Sequence, residues 1–165
     1  MINIRSFEPS DFDAVAEIYQ QGIDTGIATF QTSAKNWDEW DASLLPHSRI
    51  VATDQHNQVL AWAALSSVSN RCVYGGVAEV TIYVSTMAQG KGVGKSLLNA
   101  LVIASEQAGI WSLKAGIFPQ NIVSIKLHES CGFRVLGIQE KLGKIDNRWQ
   151  DVALLERRSK TVGID

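Results

Sequence analysis

Hydrophobic and polar positions change period several times along the chain, and each change marks an element. Ile2 and Ile4 alternate with polar neighbours as in a short strand. Pro9-Ser10 ends it, and Ser10 with Asp13 three positions on has the form of a helix N-cap. Phe12, Val15, Ile18, Tyr19 and Ile23 then recur at helical spacing, which predicts a first helix from Asp11 to about Gln21. The Gly- and Thr-rich segment 22–30 reads as a loop on or near a site. A shorter helix is expected from Asn36, with Trp37 and Trp40 three apart, ending before Pro46. Residues 49–53 and 58–65 are strand-like, and the turn residues Asp54-Gln55-His56-Asn57 join them into an antiparallel hairpin.

The second half is more regular. Residues 77–84 give the clearest strand, with Glu79, Thr81 and Tyr83 on one face and Val80, Ile82 and Val84 on the other. Val93, Leu97, Leu101, Ala104 and Ala108 form the stripe of a long helix that ends at Gly109. A strand follows over 111–117, then a helix over 121–131 with Val123, Leu127 and Cys131 in line and Gly132 at its close. Strands over 133–142 and 149–156 complete the pattern, and the residues from about 157 are expected to fray. The order β-α-α-β-β-β-α-β-α-β-β predicts an α/β domain spanning 1–165. One strand–helix–strand unit sits among antiparallel neighbours, giving a mixed, mostly antiparallel sheet with helices on both faces.

A length of 165 residues suits one domain. Hydrophobic residues at 45% and charged residues at 19% argue against a disordered chain, and a net charge of −2 argues against a nucleic-acid binder or a basic membrane-surface helix. Cys72 and Cys131 form neither a metal-type pair nor a disulfide framework, so no metal and a reducing compartment are expected. The longest apolar run, Val59 to Leu65, is seven residues, against the roughly 20 a bilayer span needs. With a charged N-terminal stretch in place of a signal peptide, the expectation is a cytoplasmic protein.

The sharpest local feature is Gln89-Gly90-Lys91-Gly92-Val93-Gly94-Lys95-Ser96 between a strand and a helix. Such a turn presents unpaired N–H groups at the positive end of the helix, and phosphate is the anion it holds best. Glycines at three of five positions weaken the helix start by roughly 0.5–1 kcal/mol each, which disfavours a purely structural turn. The nucleotide-triphosphatase loop needs a glycine where Gln89 stands, so that match fails.

Gln89-x-x-Gly92-x-Gly94 resembles the acyl-CoA pyrophosphate loop of the GCN5-related N-acetyltransferases (GNAT), and Asn121, Ser124, His128 and Gly132-Phe133 follow in the family's order. The resemblance narrows to the phosphinothricin and methionine-sulfoximine acetyltransferase branch through Ile18-Tyr19, Thr29-Phe30, Arg71-x-x-Tyr74, Glu79-x-Thr81-Ile82-Tyr83-Val84, Leu127-His128 and Arg148-Trp149-x-Asp151-Val152. Val77 and Thr81 stand where the branch usually has Thr and Ser. Ile145 replaces a usual lysine, and Asp146 and Asn147 replace common aromatic and glycine positions. These departures bear on the amine substrate and not on the acyl donor.

The resemblance implies a GNAT fold, acetyl-CoA as co-substrate, a small amine such as an amino acid as acceptor, and a homodimer. It implies that Gln89, Gly90, Lys91, Gly92, Val93, Gly94 and Lys95 hold the pyrophosphate. Asn121 and Ser124 would meet the pantetheine arm, and so would the backbone of Ile82, Tyr83 and Val84, if the sheet splays after Val84. Thr29, Phe30, Arg71, Tyr74 and Glu79 would form the acceptor pocket, with Arg71 gripping a carboxylate. Glu79 is also unusual on its own terms: a carboxylate in an apolar strand, suited to take the proton of an attacking amine, with a solvated face or an ion pair to Arg71 as the plain alternative. His128 occupies the place of a family tyrosine that protonates the leaving thiolate, although composition alone suits a helix-surface histidine. Cys131 reads as core, and Trp149 as substrate side or subunit contact. A peptide N-acetyltransferase and a non-catalytic acyl-CoA-binding module remain open alternatives.

Overall fold

The computed structural model describes residues 1–165 and arranges them as seven strands and four helices. In chain order these are β1 (Asn3–Ser6), α1 (Phe12–Asp24), α2 (Trp37–Ser43), β2 (Ile50–Thr53), β3 (Val59–Ser67), β4 (Val77–Val84), α3 (Val93–Gln107), β5 (Ser112–Ile117), α4 (Ile122–Ser130), β6 (Arg134–Ile145) and β7 (Arg148–Arg158). One sheet contains every strand in the order β1-β2-β3-β4-β5-β7-β6, and only β4 and β5 run parallel. The mixed, mostly antiparallel sheet agrees with the chain order, in which α3 is the one helix that joins two parallel neighbours.

Burial explains the two kinds of strand. Ala61, Ala63 and Leu65 of β3 face the larger core, with Leu97, Leu98 and Leu101 of α3, while Trp62 and Ala64 face Val15, Ile18 and Tyr19 of α1 and Trp40 of α2. A strand covered on both faces needs no polar alternation, hence the unbroken apolar run there. Each fully buried Leu contributes about 1.5–3 kcal/mol, so α3 is held on the sheet chiefly by its apolar stripe.

The structure corrects the sequence reading at several element ends. The first helix starts through a short 3₁₀ turn at Pro9–Asp11, held by a capping box of Glu8 and Asp11 and not by the Ser10–Asp13 pair: the Glu8 N–H donates to the Asp11 carboxylate at 2.8 Å. Arg5 adds two hydrogen bonds at 2.8 and 2.9 Å, which hold the Asp11 carboxyl below its ordinary pKa. The same helix continues through Gly22 to Asp24, and the Tyr83 ring occupies the place where a Cβ at residue 22 would stand.

Arg157 and Arg158, expected in the frayed tail, belong to the last strand. β7 runs to Arg158, the buried Ser159 donates to Glu106 at the end of α3 at 2.9 Å, and Arg157 reaches the same carboxylate at 3.0 Å. Arg158 donates to the carbonyls of Trp111 and Val162. These contacts close the C-terminal end of α3, where a carboxylate alone would meet the negative end of the helix.

Candidate active site

Pairing between β4 and β5 covers only Val77–Glu79 against Ser112–Lys114. Beyond it the strands part: Val80–Val84 pair only with β3, and Ala115–Ile117 only with β7. The sheet therefore splays after Glu79, five residues earlier than the sequence suggested. Backbone polar groups along both lips of the gap have no strand partner, and an extended amide-bearing ligand is what such edges accept.

A cleft of about 890 Å³ occupies this gap. At one end lies the glycine loop. Ser85 caps the short turn Thr86–Ala88, and the Gln89 side chain reaches back to the Val84 carbonyl at 3.5 Å. Gly90 and Gly92 then take φ of 74° and 79°, a left-handed conformation that costs other residues roughly 1–2 kcal/mol. Gly94 packs closely: a Cβ there would lie 3.2 Å from Leu127 and 3.3 Å from Val84, a tight contact. The first N–H groups of α3 face no helical acceptor and border the cleft. Gln89, Gly90, Gly92, Val93, Gly94 and Lys95 all line it. Lys91 does not; it borders a separate small hollow with Asp54, Gln58 and Met87.

Glu79 stands where the strands begin to part. Its side chain leans over β5, so that a Cβ added at Gly116 would lie 3.8 Å from its Oε1. Solvent reaches it through the cleft, yet the surrounding protein pushes its carboxyl above the usual carboxylate range, with the charge of Lys114 pulling the other way. It pairs with neither Arg71 nor any other cation; the four ion pairs of the molecule lie elsewhere.

Tyr83 closes the wall above. It stacks on Tyr19 at 4.9 Å and on Trp62 at 5.5 Å, and burial pushes its phenol well above the ordinary tyrosine range, so it stays protonated. Thr29, beside the Tyr83 and Tyr19 hydroxyls, and Phe30, edge-on to Phe118 at 4.9 Å, also line the cleft. Asn121 caps α4 by accepting from the Ser124 N–H at 3.3 Å, and its amide donates to the Ile27 carbonyl at 3.5 Å, tying the 25–30 loop across the cleft. Ser124 lines the cleft beside it.

Three expectations change on inspection of the side chains. Arg71 and Tyr74 are exposed and do not reach the cleft; the guanidinium lies 5.4 Å from the Tyr74 ring centre. His128 is buried, not on the helix surface. Its Nδ1–H donates to the Ser124 carbonyl at 2.7 Å, leaving Nε2 as a lone pair, and burial lowers its pKa below the usual value. A neutral imidazole of that tautomer has no proton to give a thiolate. Lys114, which the sequence reading passed over, lines the cleft beside Glu79. A charge between the buried Leu113 and Ala115 was the available signal, the same one that marked Glu79.

Residues 4–154 match the acetyltransferase (GNAT) domain family. The chain belongs to that family. YwnH of Bacillus subtilis, provisionally named a phosphinothricin acetyltransferase, is 32% identical over 94% of this chain and 98% of its own length. The L-methionine sulfoximine/L-methionine sulfone acetyltransferase of Salmonella typhimurium is 26% identical over 94% and 93%. Among solved structures, the GNAT-superfamily phosphinothricin acetyltransferase of Sinorhizobium meliloti, crystallised with acetyl-CoA, superimposes with a TM-score of 0.85 at 28% identity, covering 99% of this chain and 96% of that one. The cleft of this chain lies along the splay of its sheet.

Proposed function

We propose that this protein transfers the acetyl group of acetyl-CoA to the α-amine of a small amino acid or an amino-acid analogue of the phosphinothricin or methionine-sulfoximine kind. The observation that carries this reading is the cleft itself, which runs from the glycine loop at the start of α3 to a solvent-reachable carboxylate with a raised pKa. The pyrophosphate sits on the N–H groups at the start of α3, near Lys95. The pantetheine arm lies along the free edge of β4, with Asn121 and Ser124 facing it.

Both substrates bind together and the amine attacks the thioester carbonyl directly. The N–C bond forms, the C–S bond breaks and CoA leaves as its thiolate, and the second nitrogen proton, shed as the amide forms, passes to that thiolate or to solvent. Glu79 takes the ammonium proton, directly or through one water, so that the nitrogen lone pair is free to attack. A raised carboxylate pKa makes it a better base than an ordinary glutamate. A backbone N–H of the open β4 edge can donate to the carbonyl oxygen as negative charge develops there. His128 serves as a wall of the cleft, its Nδ1–H held by the Ser124 carbonyl of its own helix, without supplying a proton.

Two relatives whose names specify amino-acid analogues support the acceptor class. Calorimetric titration with acetyl-CoA followed by a thiol-release screen of free amino acids tests the reading. Binding without thiol release on any amine would leave an acyl-CoA-binding module. Release with peptides but not with free amino acids would make it a peptide acetyltransferase.

A further inference from the structure

An amino-acid acceptor brings two charges into the cleft, and Glu79 answers only one of them. With Arg71 outside, the counter-charge for the carboxylate must come from what lines the walls. Three lining residues carry a formal charge: Glu79, Lys95 and Lys114. Lys95 belongs to the glycine-loop end. Lys114 is the cation at the Glu79 end.

Sheet register places it there. Lys114 is the direct cross-strand partner of Glu79, so both side chains leave the sheet on the same face. On the other side it opposes Glu156, which opposes Arg134 in turn, completing a row of alternating charge across β4, β5, β7 and β6. Arg134 already satisfies Glu156 at 2.9 Å. The Lys114 ammonium makes no ion pair within 4.0 Å, although two carboxylates flank it. It is a half-buried, uncommitted cation on the floor of the acceptor end.

We infer that Lys114 reads the carboxylate of the acceptor amino acid, while Glu79 on the neighbouring strand receives its ammonium. This rests on the amino-acid reading above and specifies the residue that selects for it. A lysine is a point charge on a flexible stem, unlike the planar fork of arginine, so it selects for negative charge more than for carboxylate shape. A phosphinate or sulfonate in the same position satisfies it too. Lys114 also holds down the rise in the Glu79 pKa, and an arriving carboxylate would offset that effect, making Glu79 more basic as the acceptor binds.

The test compares an amino acid with its own carboxamide, which keeps the size and the α-amine but loses the charge. The wild-type enzyme is expected to show a lower KM for the acid. Lys114→Met should raise KM for the acid about 10- to 100-fold, the loss of one charge-assisted hydrogen bond, with a much smaller effect on the carboxamide. Lys114→Arg should restore most of the preference, and Arg71→Ala should leave it in place. The rising limb of the pH profile should move to higher pH in Lys114→Met.

An equal KM effect of Lys114→Met on acid and carboxamide overturns the inference and leaves the acetyltransferase reading standing. A selective effect of Arg71→Ala in place of Lys114→Met overturns it also and returns the clamp to Arg71. Wild-type enzyme that binds acetyl-CoA but acetylates neither compound refutes the amino-acid reading itself.

Discussion

Gly22→Ala sets two effects of opposite sign against each other, and the structure decides between them. In an unencumbered helix the change stabilises by about 1 kcal/mol. Here the new Cβ would stand 2.5 Å from Cδ1 and Cε1 of Tyr83, about 1 Å inside normal carbon contact. The ring has little room to yield, because Tyr19 and Trp62 stack against it at 4.9 and 5.5 Å. Overpacking of this kind costs about 1–3 kcal/mol, which outweighs the helix gain and leaves a net loss of about 1 kcal/mol. For a chain of this length the melting temperature should fall by about 2–4 °C. Tyr83 also lines the cleft, so a displaced ring should raise the KM of the acceptor. Thermal denaturation followed by circular dichroism, with steady-state kinetics on the same preparation, reads both effects. A rise in melting temperature would show that α1 is not pinned to Tyr83 and would refute this packing.

Other consequences of the site are open to similar tests. Glu79→Gln should lower kcat by roughly 10²–10⁴-fold and remove the limb that rises as pH climbs through the raised Glu79 pKa, since only the carboxylate form accepts the proton; wild-type kcat with an unchanged profile excludes it as the base. Replacing Gly92 and Gly94 together by Val should weaken acetyl-CoA binding in calorimetry while circular dichroism stays native, and unchanged affinity in the folded variant would remove the loop from the donor site. The exposed Val135, Ile138, Leu142 and Trp149 of the β6–β7 hairpin offer an apolar surface for a two-fold dimer. Sedimentation should show a dimer at micromolar concentration, and a monomer throughout that range rejects it.

Much of this architecture was visible in side-chain period alone, because the strands that alternate and those that do not are covered differently. The glycine loop was legible because phosphate chemistry demands backbone that other residues cannot supply. Gly22 misled, since glycine content signals a loop unless a ring from a distant strand requires the missing Cβ. The hairpin turn Asp146-Asn147, with φ of 49° and 62°, was noticed only as a departure from relatives, although two such residues between strands are a turn signal in their own right. The place where β4 leaves β5 depends on pairing register, which no local pattern encodes. For the same reason Lys114 escaped notice: what makes it a site residue is the strand beside it. Arg71 shows the converse, a residue whose spacing fits a role that its position in space does not serve.

The sheet order has a consequence for biosynthesis. β7 is made after β6 yet lies between it and β5, so β6 has no strand partner until β7 has left the ribosome. Until then β5 also presents an open edge, and the wall of the cleft that it forms with β7 does not exist. The nascent chain can assemble β1 to β4 with α1, α2 and α3 while the remainder waits, exposing unpaired strand edges that invite contact with other chains. A stalled or truncated product lacking β7 should therefore behave as an aggregation-prone half-sheet, and not as a slightly shortened enzyme.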